Sequence, residues 1–379
     1  MISVPGPSIA KLTSALPFWI SILLIPIAIF SAVTGGIAVV LLPLCTWYLF
    51  SLIDLFTGLN KENTDARTPE NQLYWYRLIT IVWAPLQFMT VFGMLYYVTR
   101  ANHLDGWEQY FLFIGVGVFT GTIGINYSHE LMHQQPKIER QMGDALLAMV
   151  LYSHFRSEHL LVHHRYVGTQ RDPVTARFGE GFWRYFLRVL RESYPSAFAA
   201  EKSMLARKNL PWYDQSNPFW RFWLFQASYL LLALIISDVW GLFLYFIQAF
   251  TAIFQLELVN YLEHYGLTRK HLGNGKYEHV MPHHSWNAEQ RASSWLLINL
   301  QRHSDHHYKP DRRFPLLQTY GDDVAPQLPY SYPVMTILAM SPTLWRHVMN
   351  PKVRIWREKF YPEITDWEPY RDGSLPLPK

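Results

Sequence analysis

Histidines that could bind a metal ion are concentrated in four short stretches of the chain. The stretch LQRHSDHHYKP, residues 300–310, contains three of them, His303, His306 and His307. On an α-helix, residues three or four positions apart lie on the same face. These three imidazoles are therefore predicted to present a set of nitrogen ligands to a metal.

The other three stretches are NYSHELMHQ, SEHLLVHHRYVG and NYLEHYGL. Their candidate ligands lie four residues apart, next to such a pair, or at the end of an apolar segment, and are His129, His133, His159, His163, His164 and His264. Nine imidazoles suit two metal ions with four or five nitrogens each, and imidazole binds iron as well as zinc. Two redox metals beside an apolar interior suggest oxygen activation directed at a lipid-like substrate.

One motif supports a different reading. HELMH, residues 129–133, matches the H-E-x-x-H signature of zinc metalloproteases, in which Glu130 would act as a general base. A catalytic zinc takes three protein ligands and one water. That reading leaves six well-spaced histidines without a role, so an intramembrane zinc protease is the weaker alternative.

The composition indicates a membrane protein. Half of the 379 residues are hydrophobic, and 16% are charged, below the roughly 25% usual for soluble domains. A helix crosses a bilayer with about 20 apolar residues. Six such segments are predicted, at 17–34, 37–56, 76–98, 108–128, 219–236 and 239–261. The predicted fold is an all-α polytopic membrane protein with six transmembrane helices and a cytosolic helical part that carries the histidines.

The basic residues predict how these helices are oriented. With a cytoplasmic N-terminus, Arg100 is the single residue among 33 Lys and Arg that falls outside, as the positive-inside rule requires. Every candidate histidine follows span four or span six, so all nine are predicted to face the cytoplasm, as are both termini. The expected units are a transmembrane domain, 1–264, which includes a cytosolic insertion at 129–218, and a cytosolic C-terminal part, 265–379.

The sequence argues against cysteine-based sites, dinucleotide binding and nucleic-acid binding. Cys45 is the single cysteine, which rules out an internal disulfide and a cysteine-based iron–sulfur or rubredoxin site. No dinucleotide-binding fingerprint follows a predicted strand. The net charge of +4 is explained by the cytoplasmic basic surface, and no nucleic-acid-binding module is visible.

The histidine blocks resemble those of one family. HELMH, EHLLVHH, NYLEHYGL and LQRHSDHH are similar to the motifs of the integral-membrane alkane 1-monooxygenases, the AlkB-type alkane hydroxylases, within the membrane histidine-rich desaturase and hydroxylase class. NYLEHYGL and LQRHSDHH are the more specific motifs, and the resemblance covers nearly the whole chain. Val162 departs from the pattern, since the family usually has glycine before the paired histidines.

The resemblance implies a reaction and its participants. The nine histidines would hold two non-haem iron ions, and O2 would be the co-substrate in the hydroxylation of n-alkanes to 1-alkanols. Electrons would come from rubredoxin, reduced by an NAD(P)H-rubredoxin reductase, at the bacterial inner membrane and in contact with its lipid. A membrane desaturase, or a hydroxylase of another lipid-like or alkyl-aromatic substrate, is the main alternative.

Several further residues are predicted to support this site. The second nitrogen of a metal-bound imidazole needs a hydrogen-bond acceptor, and the candidates near the ligands are Glu130, Glu158, Asp172, Glu263, His284 and Asp305. The stretch KPDRR, 309–313, with Lys352, Arg354, Arg357 and Lys359, is predicted to offer rubredoxin a basic docking surface. Glycines at 115, 117, 121 and 124 either leave room for a substrate tunnel or pack helices closely. Trp47, Trp83 and Phe119 are candidates for limiting chain length.

Overall fold

A computed structural model describes residues 9–378, with side chains from residue 12, so both chain ends lie outside the described residues. The helices are α1 (Leu12–Thr34), α2 (Gly36–Thr57), α3 (Tyr74–Val98), α4 (Gly106–His133), α5 (Lys137–Met149), α6 (155–166), α7 (Phe182–Ala206), α8 (Phe219–His264), α9 (Arg291–Leu296), α10 (His303–Tyr308), α11 (Tyr332–Met340), α12 (Pro342–Phe360) and α13 (Pro369–Asp372). The strands β1 (His271–Gly273) and β2 (Lys276–Tyr277) form an antiparallel hairpin. The prediction of a helical membrane protein is confirmed.

Five of these helices, α1 to α4 and α8, are long and apolar enough to cross a membrane. Helix α8 has 46 residues, about 70 Å at 1.5 Å per residue, more than twice the roughly 30 Å of a bilayer's hydrocarbon core. Its backbone is non-helical at Asp238 (φ 60°, ψ −163°), where the carboxylate accepts the Trp240 N–H at 2.8 Å. The six predicted spans are compatible with this arrangement, because the last two are the halves of one bent helix.

The break in α8 lies beside the turns that join the other long helices. Arg100, between α3 and α4, donates to the Ile236 carbonyl at 2.6 Å. Trp240 Nε1 donates to Gln109 Oε1 at 2.6 Å, and His103 Nε2 lies 3.0 Å from the Ala32 carbonyl. The connections after α1, after α3 and within α8 therefore meet at one end of the helix bundle.

Helix α4 runs through the centre of the bundle and packs closely against α8. A Cβ added at Gly117 would lie 2.4 Å from Thr251 Cβ, and one at Gly121 would lie 2.9 Å from the Ala252 backbone. Gly115 and Gly124 face Pro43 and Gln87 at similarly short distances. Close packing at small residues is thus the reading that the structure supports for these glycines.

Candidate metal centre

All nine predicted histidines come together at the end of the bundle opposite these connections. They are supplied by the last turns of α4 and α8, by α6 and by α10. Seven are buried, and His133 and His164 are partly buried. Four stretches far apart in sequence thus converge on one enclosed volume.

The imidazoles form two adjoining groups. In the five-histidine group, His159 Nε2 lies 3.1 Å from His133 Nε2, and His164 Nε2 lies 2.9 Å from His159 Nε2 and 3.1 Å from His306 Nε2. His129 completes the group, with its ring centre 4.3 Å from that of His306. Apart from His164, the histidines of this group have ligand nitrogens that all lie within 4.8 Å of one another.

The four-histidine group has the same compactness. Nε2 of His303 lies 3.0 Å from Nε2 of both His264 and His307, and His163 Nε2 lies 3.2 Å from His307 Nε2. The two groups touch, since the ring centres of His159 and His163 are 5.3 Å apart.

This donor set fits metal ions. An imidazole nitrogen binds a metal such as zinc at about 2.1 Å, which places neighbouring nitrogens on one ion about 3 Å apart. Burial lowers the pKa of His159, His164, His303, His306 and His307 well below its ordinary value. These imidazoles are therefore held neutral, the form in which histidine binds a metal.

A widened turn explains how all three histidines of α6 join the site. Residues five apart on an ordinary α-helix point about 140° away from each other, so His159 and His164 would diverge. Residues His159–His163 instead form a π-helical turn, of the kind often found at functional sites. The sequence spacing gave no indication of this turn.

Two of the predicted acceptors, Asp172 and Glu263, contact the histidines, and a third, Glu158, is buried without a partner. Asp172 Oδ2 lies 2.8 Å from His163 Nδ1 and also accepts the Thr175 hydroxyl at 2.7 Å. Glu263 receives the Tyr332 hydroxyl at 2.9 Å, and its other oxygen lies 3.3 Å from His303 Nε2. Glu158 is fully buried with neither oxygen hydrogen-bonded, and burial raises the pKa of its carboxyl well above the ordinary value.

Glu130 and Asp305 hold the surrounding segments in place. Glu130 accepts from the Phe314 N–H at 3.2 Å and from Gln134 Nε2 at 3.0 Å. Asp305 receives two bonds from Arg312, at 2.7 and 2.6 Å. The structure thus gives Glu130 hydrogen-bonded neighbours that do not include a candidate ligand, which weakens its assignment as a protease base.

His284 belongs to a separate group of possible ligands with Glu278 and His283. His284 Nδ1 accepts the Met281 N–H at 2.8 Å, so its proton must be on Nε2, which lies 2.7 Å from the Tyr361 hydroxyl. A metal on Nε2 would require the opposite tautomer. We therefore assign this group to a hydrogen-bond network that joins Tyr361 to the loop after α8.

A small, largely apolar pocket adjoins the histidines. His129, His159 and His303 contribute to its wall, and its apolar lining is Trp47, Ile125, Phe155, Leu256, Val259, Leu297 and Leu300. Trp47 also donates its indole N–H to Thr336 Oγ1 at 3.2 Å. Trp83 does not line the cavity; it packs against Phe119 with ring centres 5.2 Å apart.

The cavity wall also includes polar residues that the motifs did not reveal, namely Thr122, Asn126, Gln255 and Asn260. Thr122, Asn126 and His129 recur at four- and three-residue intervals on α4, so they share the face of a histidine already singled out. Polar side chains inside an apolar span are a signal of function. That signal was present in the sequence.

Comparisons with known proteins agree with this geometry. The fatty acid desaturase family profile matches residues 105–339. Alkane 1-monooxygenase 2 of Pseudomonas aeruginosa is 35% identical over 323 residues, 84% of this chain and 85% of that protein. Alkane 1-monooxygenase 2 of Alcanivorax borkumensis is 32% identical over 379 residues, 95% and 94% of the two chains. The xylene/toluene monooxygenase hydroxylase component of Pseudomonas putida is 29% identical over 64% of this chain.

The residues matched by the family profile include the segments that supply all nine histidines. Sequence, helix arrangement and histidine geometry lead to the same assignment. The chain belongs to the alkane 1-monooxygenase family, within the membrane class described by the fatty acid desaturase profile.

Proposed function

We propose that this protein hydroxylates the terminal methyl group of n-alkanes, with O2 as co-substrate. The observation that carries the proposal is a cluster of nine buried or partly buried imidazoles, three of which line a largely apolar pocket. A substrate without polar groups is selected by shape and position alone. Per turnover, an alkane, O2, two electrons and two protons give a 1-alkanol and water.

We assign two iron ions to the site, one to each histidine group. The five-histidine group, with His164, would hold one ion, and His163, His264, His303 and His307 the other. Iron bound there would supply the reductive activation of O2. Asp172 fixes the orientation of the His163 ring, as the acceptors of metal-bound histidines do in other proteins. Glu263 lies beside His303 and is held by the Tyr332 hydroxyl.

The cavity wall controls how the alkane meets the site. Trp47 closes one side, and its orientation is fixed by the bond to Thr336. Leu256, Val259 and Leu300 line the path of the chain with apolar side chains, and Glu263 lies in the same wall near His303. These side chains exclude water and present a methyl end toward His129 and His303.

The electrons come from outside the chain, and we propose rubredoxin as the donor, with its NAD(P)H-dependent reductase upstream, at the bacterial inner membrane with the metal site facing the cytoplasm. The exposed cations of the predicted surface are Lys309, Arg354 and Lys359. Arg313 is buried and Arg312 is bonded to Asp305. That part of the predicted docking surface was therefore wrong.

Product analysis tests the proposal. Membranes containing the protein, supplied with NADH, rubredoxin, its reductase and a series of n-alkanes, should form 1-alkanols detectable by gas chromatography with mass detection. His303→Ala should abolish the alcohol and reduce bound iron. His347→Ala is the matched control, because His347 is exposed and away from the site.

A substrate with one polar end is the second candidate. It is favoured by unbonded oxygens of Thr122, Asn126 and Gln255 in residues that line the cavity. A fatty acid series and an alkyl-aromatic series should therefore accompany the alkanes. An iron-loaded sample that modifies one of these, and no alkane, would replace the first proposal by the second.

A further inference from the structure

The segment that joins the metal site to the C-terminal helices is unusually apolar. No Asp, Glu, Lys, Arg or His occurs from residue 324 to residue 345. The middle of this segment is α11, which turns sharply at Ser341 into α12. A stretch of this kind in the predicted cytosolic part needs an explanation, because soluble surfaces rarely lack charge over such a length.

Helix α11 packs against the bundle with one face only. Thr336 accepts from Trp47 on α2, Ser331 lies 3.4 Å from Ser51 on the same helix, and Tyr332 bonds Glu263 on α8. The opposite face presents Val334, Ile337 and Met340 outward. These three residues recur every three positions and are all exposed and apolar.

The exposed face continues onto neighbouring helices. Trp183, at the start of α7 and half exposed, donates its indole N–H to the Met340 carbonyl at 3.0 Å. Its ring centre lies 5.8 Å from that of Phe254 on α8. Leu187, one turn along α7, and Leu344, at the start of α12, are exposed as well.

This surface presents large apolar side chains next to one another, which soluble proteins seldom expose without a partner. It also merges with helix surfaces that face lipid, since Tyr48 and Leu52 on α2 and Phe250 on α8 are exposed in the same way. Its border is basic. The guanidinium groups of Arg184 and Arg346 are exposed, and no bond to a carboxylate is recorded for either among the described residues.

We propose that α11, with the first turn of α7, is inserted in the bilayer leaflet on the side of the metal site. Val334, Ile337, Met340 and Leu187 contact acyl chains there. Trp183 lies at the interface, where indole rings are enriched. Arg184 and Arg346 reach phosphate headgroups, as basic residues do beside interfacial helices. The predicted cytosolic C-terminal part is thus a second membrane-bound element. This inference does not depend on the reaction.

Spin labels test the placement directly. In a Cys45→Ala background, Ile337→Cys carries a nitroxide in lipid nanodiscs, and its collisions with O2 and with a water-soluble nickel chelate are compared. Leu231→Cys, exposed on α8, is the reference for lipid. Ile355→Cys is the matched control, an exposed isoleucine flanked on α12 by exposed Arg354 and Glu358.

The label at 337 should behave like the one at 231. Its ratio of O2 collisions to nickel-chelate collisions should be several-fold higher than the ratio at 355. A label at 337 that is as accessible to nickel as the one at 355 would overturn the proposal. Low collision rates with both reagents would also overturn it, because they would indicate that a second copy or another protein covers the helix. Val334→Cys repeats the test if the first variant fails to fold.

Discussion

At the scale of single residues, the spacing of side chains in the sequence identified candidate metal ligands better than it identified their hydrogen-bond acceptors. Helical spacing, with a position beside a spaced pair for His164 and at a span end for His264, selected nine of the 16 histidines, and the structure brings all nine together. Spacing along the sequence could not separate the acceptors that contact the histidines from those that do not, because such contacts depend on tertiary packing. Asp172 contacts His163, whereas Asp305, adjacent in sequence to the candidate ligand His306, bonds Arg312.

Asp172 therefore carries the first prediction. In Asp172→Ala, the His163 ring loses its hydrogen-bonded acceptor, and the affinity for iron should fall about 10- to 100-fold. Iron retained after dialysis against graded concentrations of a chelator measures this change. Asp322→Ala, at an exposed loop position, should retain as much iron as the wild type. Equal retention by both variants would contradict a role for Asp172 in orienting the ring.

At the scale of elements, the segment after α10 is fixed by a buried ion-pair network. Arg313 bonds Glu139 on α5 at 2.8 Å and Glu70 at 2.7 Å. Burial would raise the pKa of Glu139, but the guanidinium groups of Arg313 and Arg77 outweigh it and hold that pKa below its ordinary value. The sequence showed a basic stretch at 309–313, and its partners, far apart in the chain, could not be read from it.

Arg313→Gln should lower the free energy of unfolding by about 1–3 kcal/mol at neutral pH, because the buried Glu139 carboxylate loses one of its two guanidinium partners and keeps Arg77. A carboxylate with a lowered pKa stabilises the fold above its ordinary pKa, and this contribution is lost as the pH falls. The deficit of the variant should thus shrink below pH 4.5, the ordinary value for glutamate. Thermal unfolding in detergent at several pH values measures it, with exposed Arg207→Gln as the control. A deficit independent of pH would contradict the assignment.

At the scale of the whole molecule, the helical membrane fold was the feature best predicted from the sequence. Long apolar segments and the one-sided distribution of Lys and Arg sufficed for the helical membrane fold, since both depend on composition rather than on contacts. The bend at Asp238 also fell where two spans were expected to meet. The packing of α11 against α2 and α8 could not be read from the sequence, because nine apolar residues are too few to register as a span.

The bend carries a prediction about topology. In a Cys45→Ala background, Val239→Cys and Asn102→Cys should both react with a membrane-impermeant maleimide in intact spheroplasts, since both lie at the end opposite the histidines. Glu358→Cys should react after the membrane is permeabilised. Labelling at 102 without labelling at 239, while 239 reacts in detergent, would show that α8 does not cross twice.

The wide separation of the histidines along the chain has a consequence for biosynthesis. His129 and His133 leave the ribosome about 170 residues before His303, as their numbers show. Each histidine group contains residues from α10, so neither group is complete until translation has passed the last transmembrane segment. During synthesis, the early histidines are partial chelators that could capture the wrong metal. Correct metallation therefore belongs to the final stage of maturation, after insertion of the helices, and a chain truncated before residue 303 should reach the membrane without acquiring either complete site.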